Sequence, residues 1–213
     1  METQPQMNRQ LILAAGMPRS ASTLLFNILR EILLIKYGDK LVSGWEAEAL
    51  EKNDTRVRLV KTHILTEAFF RTAKEVFFSY RDVRTAAVSA KRMFGYAITR
   101  ESIREWVREY EKARDGEAHL FCYEDLSEMP VYPILRIAEI FDVKADPGEV
   151  YQNIERLRHK ARGPGHSQPS LYHENHFTCT GNSDWRREFP LELQEQINQE
   201  FEWWFKECGY PTE

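Results

Sequence analysis

What this 213-residue chain has little of narrows its identity first. Its three cysteines, Cys122, Cys179 and Cys208, are odd in number and far apart. That pattern argues against a disulfide framework and for reduced intracellular thiols, so the expected compartment is cytoplasmic. Apolar runs are short, none approaching the ~20 residues that span a bilayer, and the opening stretch Met1 to Gln10 is polar. Neither a signal peptide nor a membrane partner is expected. Excess positive charge is missing too: the net charge of −4 argues against nucleic acid as a partner. No paired Cys-x-x-Cys, internal repeat or low-complexity tract is present.

What is there suffices for one core. With 42% apolar residues, positions 1–213 are expected to fold as a single domain, with residues 1–9 flexible. Four short apolar runs read as buried parallel strands: Leu11 to Ala15, Val57 to Lys61, Glu75 to Tyr80 and His119 to Tyr123. Helical periodicity covers Thr23 to Tyr37, Ile64 to Ala73, Val83 to Phe94, Glu101 to Arg114, Val131 to Phe141, Pro147 to Lys160 and Leu191 to Lys206. Strands alternating with helices predict an α/β class with a central parallel sheet flanked by helices. Residues 161–182 hold Gly163, Pro164, Gly165, Pro169 and Gly181, which predicts a long loop.

The first strand runs into a turn rich in small and hydroxyl residues, Gly16-Met17-Pro18-Arg19-Ser20-Ala21-Ser22-Thr23, which opens into a helix. Strand, turn and helix start make an anion cradle, because first-turn N–H groups have no intrahelical partner and the macrodipole adds positive potential. The loop is P-loop-like, but aligned on Gly16 the pattern G-x-x-x-x-G-K-[ST] meets Ala21 and Ser22 before a matching Thr23. The phosphate-gripping lysine is gone. Arg19 offers instead a planar fork of donors that suits a tetrahedral oxyanion and needs no metal.

Further cations fall where strands end, at Lys61, Arg81 and Arg84, so positive charge is expected to gather in one cleft. Lys61 and His63 are two apart at a strand end, so both point the same way. Glu124 and Asp125 read as helix-capping residues, Trp185 as a packing anchor. His173, His176 and Cys179, with His166 nearby, have gaps that zinc ligands use, but without a Cys pair the expectation is no metal.

Taken together, these blocks resemble the sulfotransferases that use 3'-phosphoadenosine 5'-phosphosulfate (PAPS) as donor. Residues 16–23 look like the family's 5'-phosphosulfate loop, Leu59-Val60-Lys61-Thr62-His63 like its Lys-Thr-His element, and the run from Tyr80 to Ser89 like its 3'-phosphate motif. Phe121 to Leu126 resembles the strand whose tyrosine, here Tyr123, lies near the adenine. Gly181 to Arg186 is similar to the carboxy-terminal Gly-x-x-Gly-Asp-Trp-Lys element.

The resemblance implies a sulfuryl transfer from PAPS to a hydroxyl or amine, leaving PAP. His63 would be the general base, with Lys61 and Arg19 countering charge on the bridging and sulfuryl oxygens. Gly16, Pro18, Arg19, Ser20, Ala21, Ser22 and Thr23 would hold the 5' side of the donor, and Arg81, Ser89, Tyr123 and Arg186 the rest. It implies a small-molecule or carbohydrate acceptor and allows a homodimer. Arg19 replaces the lysine of the cytosolic phenol and steroid branch, and Leu24 its tryptophan; arginine is the pattern of the tyrosyl-protein and carbohydrate branches. Where that branch carries Arg-Lys-Gly, Thr178-Cys179-Thr180 stands nearby, so the 3'-phosphate grip could be rebuilt from Arg158, Arg162 or Arg186. Two other readings compete: a magnesium-dependent P-loop kinase, supported by the cradle and Asp82, and a non-catalytic module that only binds PAPS or PAP.

Overall fold

The apolar run before Gly16 forms β1 (Gln10–Gly16), the middle strand of a five-stranded sheet in the computed structural model, which describes residues 10–46, 57–161, 167–173 and 185–212. Its other members are β2 (Leu41–Trp45), β3 (Val57–Thr62), β4 (Ala73–Tyr80) and β5 (His119–Cys122). All pairings are parallel, in the order β2-β3-β1-β4-β5. Helices follow in the order α1 (Ser22–Tyr37), α2 (Glu67–Thr72), α3 (Val83–Phe94), α4 (Arg100–Asp115), α5 (Tyr123–Glu128), α6 (Val131–Ile140), α7 (Pro147–Lys160), α8 (Leu191–Glu200) and α9 (Glu202–Cys208).

A parallel sheet must be covered on both faces, and the alternation along β1 does this. Ile12 and Ala14 pack with Phe26 and Leu29 of α1, Ile134 of α6 and Ile154 of α7. Leu13 and Ala15 pack with Val88 of α3, Val107 of α4, and Trp204 and Phe205 of α9. The α/β class expected from the sequence is therefore present. From β1 the chain steps to one side for β2 and β3 and to the other for β4 and β5. That reversal leaves a crevice beyond the carboxyl ends of β3, β1 and β4.

The structure adds and corrects elements. β2 escaped the sequence reading because Leu-Val-Ser-Gly-Trp carries Ser43 and Gly44 in a short edge strand. Helix α2 starts only at Glu67, where the Thr66 side chain accepts the Phe69 N–H as an N-cap. Tyr123 opens α5 instead of closing the fourth predicted strand. The helix expected over Leu191 to Lys206 breaks at Phe201 into α8 and α9. Of the long loop, Ala161 caps α7 and is buried, and Ser167 to His173 turns back on itself, with Leu171 and Tyr172 buried against the α1 face; residues 162–166 and 174–182, like residues 1–9, lie outside the described residues.

One cation of the predicted set has a structural role. Arg84 is fully buried, with Nε and Nη2 donating to the two carboxylate oxygens of Asp82 at 3.0 and 2.6 Å. Its other donors reach Asn198 Oδ1 and the Pro211 carbonyl, and its plane lies between the rings of Trp185 and Phe205, at 4.3 and 4.2 Å. The expectation that Arg84 adds charge to the cleft is thus corrected: its charge is cancelled by Asp82 and ties the chain end to the sheet. Removing one partner of a buried pair strands the other charge. Arg84→Ala is therefore expected to cost about 3–5 kcal/mol in urea unfolding, with part of the loss recovered by adding Asp82→Ala. A loss below about 1 kcal/mol, typical of an exposed pair, would contradict this account.

Candidate active site

Gly16 ends β1 where no side chain fits. A Cβ there would lie 2.1 Å from Ser79 Oγ and 3.0 Å from the Ser79 carbonyl oxygen. The loop lies against β4 through Met17 N–H donating to that carbonyl at 2.9 Å. The buried Ser20 hydroxyl sits 2.7 Å from the Met17 carbonyl, 3.0 Å from the Ser79 carbonyl and 2.7 Å from Ser79 Oγ. Ser20, expected from the sequence to be an anion donor, thus spends its hydroxyl on holding the loop. Its N–H faces the Met17 carbonyl as well. The groups that remain for an anion are those of Ala21, Ser22 and Thr23.

Arg19 and Ala21 both adopt the left-handed conformation, each with φ 63°. A non-glycine residue there costs of order 1–3 kcal/mol, an outlay concentrated at functional loops. Ala21 takes the conformation for which a P-loop uses glycine. Alternating hands turn successive N–H groups to one side as an anion-binding nest, and the first turn of α1 continues that concavity.

β3 delivers the next two groups. Lys61 is buried, flanked in register by Ala14 on β1 and Trp45 on β2. Its ammonium donates to Thr23 Oγ1 at 2.5 Å and lies 4.5 Å from the Trp45 ring centroid. Burial first, and then the Arg19 charge, push its pKa down to about 7. His63 lies half-buried just past the strand, its Nδ1 2.6 Å from the Gly16 carbonyl oxygen. A carbonyl only accepts, so Nδ1 carries the proton and Nε2 is left with its lone pair, the tautomer a base needs. Burial and then the Lys61 charge lower the imidazole pKa to about 4, against the opposing pull of the Gly16 hydrogen bond. The ring is neutral across the physiological range.

The opposite wall starts from β4. Arg81 is buried, its guanidinium 3.6 Å from the Tyr123 ring, and Nη1 donates to the Arg19 carbonyl at 3.4 Å. Its Nε is buried with no hydrogen-bond partner. A buried donor left open costs free energy unless a ligand satisfies it. Arg19 joins the two walls: its Nε donates to the buried Ser89 Oγ at 3.0 Å, its plane lies 5.9 Å from Phe94, and its charge is felt at Lys61.

The structure therefore brings together Gly16, Arg19, Ala21, Ser22, Thr23, Lys61 and His63, with Arg81, Ser89 and Tyr123 beside them; Pro18 lies half-buried within the loop. Arg186 is exposed on the 3-10 turn Trp185–Arg187, its guanidinium 4.6 Å from the Trp185 ring. Trp185 itself is buried, as a packing anchor would be. Arg158 is paired with Glu155 at 3.2 Å. Arg162, His166, His176, Cys179 and the Gly181–Asp184 part of the last motif lie outside the described residues, and no metal-holding cluster of His, Cys, Asp and Glu occurs among those described. Sequence reasoning missed Trp45, which touches both Lys61 and His63, and Asn27. One helical turn beyond Thr23, the Asn27 amide donates to the Thr23 and Ser170 carbonyls at 2.7 and 2.8 Å, fastening the 167–173 turn to the cradle.

No protein-family model matches the chain, and no curated protein matches it by sequence. Solved structures do match. A retinol dehydratase in complex with retinol and PAP is 17% identical, with 92% of this chain aligned to 80% of that one at a TM-score of 0.56. The mouse sulfotransferase SULT7A1 complexed with PAP is 12% identical, with 93% aligned to 85% and a TM-score of 0.62. A second retinol dehydratase complex, with androsterone and inactive cofactor PAP, is 18% identical, with 92% aligned to 80% and a TM-score of 0.53. What these share with the chain is the sulfotransferase fold.

Charge at the cradle makes a prediction that needs no knowledge of the physiological ligand. An anion beside Lys61 restores the ammonium and raises its pKa above about 7, so binding takes up protons where the free amine is neutral. Calorimetry of inorganic sulfate, whose own charge does not change in this range, at pH 8 in buffers of different ionisation enthalpy, is expected to show uptake of most of one proton, falling towards zero at pH 5.5. Affinity should fall as pH rises above 7, and Lys61→Met should abolish the uptake. Uptake unchanged in that variant would place the proton on another group.

Proposed function

We propose that the chain is a PAPS-dependent sulfotransferase that moves a sulfuryl group in line to a hydroxyl or amine of a small-molecule or carbohydrate acceptor, in the cytoplasmic, single-domain setting expected from its composition. The observation that carries this reading is the juxtaposition of His63, its Nδ1 proton on the Gly16 carbonyl, with a nest and helix start that Lys61 reaches through Thr23. Base, cation and anion cradle share one crevice. The likeness of the fold to PAP-bound enzymes supports it.

The donor's two anionic ends fit the residues present. Backbone amides of Ala21, Ser22 and Thr23 suit the 5' phosphate. Arg81, with its open Nε, and Ser89 suit a 3' phosphate, while Tyr123 supports the Arg81 plane from below. When bound, PAPS supplies an electrophilic sulfur and a phosphate leaving group. Lys61 and Arg19 counter the charge that grows on the leaving side, and His63 Nε2 takes the acceptor proton. Orientation and electrostatics are the protein's main contributions. The kinase reading loses its carboxylate, since both oxygens of Asp82 are held by Arg84. A module that only senses PAPS would need no base in the reactive tautomer.

Titration calorimetry tests the donor directly: PAP should bind without magnesium and far more tightly than ATP with magnesium, and equal affinities would favour the kinase. Arg81→Ala should weaken PAP at least tenfold, as expected for loss of a charge-assisted hydrogen bond, with little change for adenosine 5'-phosphosulfate, which has no 3' phosphate.

Catalysis separates from binding at His63. His63→Ala should leave the PAP Kd nearly intact while kcat drops by about 10² to 10⁴, assayed with labelled PAPS and a panel of phenols, alkanols, amines and sugars. For wild type, kcat/KM should be bell-shaped in pH. Its acid limb follows His63 near 4, where the base is lost by protonation, and its alkaline limb follows Lys61 near 7, where the cation is lost. A fully active alanine variant with chemistry rate-limiting, or an acid limb that persists unchanged in that variant, would assign the base elsewhere.

A further inference from the structure

Lys61 and His63 share a neighbour that comes from a different strand. Trp45 is the last residue of β2 and stands in register with Lys61, and register partners in a parallel ladder project their side chains to the same face, about 4.8 Å apart. On the other side of Lys61 the register partner is Ala14, too small to constrain a lysine stem. The indole fills the open side: its centroid lies 4.5 Å from Lys61 Nζ and 5.6 Å from the His63 ring, tilted 55° to it.

We propose that Trp45 is a positioning residue for the transfer: its indole, set by strand register beside Lys61 and against His63, favours the ammonium form, aims it at Thr23 and keeps the imidazole over the Gly16 carbonyl. This rests on the sulfotransferase reading above. An ammonium against an indole face is stabilised by the ring quadrupole, most strongly where water is excluded. Among the described residues, the groups facing Lys61 are Arg19 from the loop, whose charge disfavours the ammonium, and His63 from its own strand end, which does so when protonated; Thr23 from α1 and Ala14 from β1 carry none. Glu46, next to Trp45, is exposed and 3.5 Å from Thr62 Oγ1. Trp45 therefore joins the Thr23 hydroxyl in favouring the cation without cancelling it. A carboxylate in its place would neutralise the lysine and compete with the donor's phosphate.

The test compares Trp45→Leu, which removes the ring face, with Trp45→Phe, which keeps a smaller one, both in the full chain and both checked for folding by thermal unfolding. Lys61 reactivity towards trace acetic anhydride, followed by peptide mass spectrometry from pH 5 to 11, reports its titration with no ligand present. Trp45→Leu should move that midpoint down by about half to one pH unit, with Trp45→Phe between it and wild type. With PAPS and the best acceptor, kcat should fall about 3- to 30-fold in Trp45→Leu and recover in part in Trp45→Phe. PAP affinity at pH 5.5, where Lys61 is protonated in all three, should change less than threefold. A folded Trp45→Leu protein with an unshifted Lys61 midpoint, or a phenylalanine variant as impaired as the leucine one, overturns the proposal and leaves Trp45 as edge-strand packing. Wild-type protein that neither binds PAP nor turns over overturns the sulfotransferase reading instead, and the acetylation profile still decides whether the indole sustains the ammonium.

Discussion

Everything at the crevice depends on a backbone loop lying flat against one serine. The seam between residues 16–20 and Ser79 leaves no room for a Cβ at Gly16, and the Ser20 hydroxyl and Met17 N–H close it. With the loop held there, the chain reaches the first turn of α1 only by passing twice through the left-handed region, at Arg19 and Ala21. That strain is what turns the amides into a nest. The same seam aims two carbonyls outward: that of Gly16 receives the His63 proton, and that of Arg19 receives Arg81. Cradle, base and second cation are thus referenced to one stretch of main chain.

Burial of charge divides the cations into two kinds. Arg81 and Arg84 are three residues apart at the same strand end, and both are buried. Arg84 meets a carboxylate, two ring faces and a carbonyl, so its desolvation is offset internally and its use is architectural. Arg81 meets a ring, a carbonyl and an open Nε. A buried cation with a donor to spare, and with Glu124 within electrostatic reach but not hydrogen-bonded to it, is further offset by an anion, which is how stability becomes exchangeable for affinity.

The sequence was legible where the relevant geometry lies within one element. Apolar runs ending in Gly16, Lys61 and Arg81 declared the strands and the side of the sheet on which a ligand sits, because period two ties spacing to direction. What crosses between elements was not legible. Nothing in the spacing of residues 16 and 63 says that a carbonyl sets an imidazole tautomer. Likewise nothing in Asp82 and Arg84 says that they neutralise each other under a folded-back chain end. Trp45 was hidden because Ser43 and Gly44 dilute its strand, and Ser20 was misread because a hydroxyl facing an anion and one facing a carbonyl look alike in sequence.

The coupling between Lys61 and His63 suggests why the two belong together on the proposed reading. In the free protein the lysine lies near its own midpoint, so part of its population is neutral. A phosphate in the cradle favours the ammonium, and a full charge on Lys61 then holds the imidazole pKa down. Filling the donor site therefore strengthens the cation without sacrificing the base. The Gly16 carbonyl contributes the opposite pull, favouring a proton on Nδ1, and so preserves enough basicity at Nε2 for the transfer. A lysine at full charge in the free protein would offer less of this ordering, because its state would not change when the donor arrives; burial of Lys61 makes the response possible.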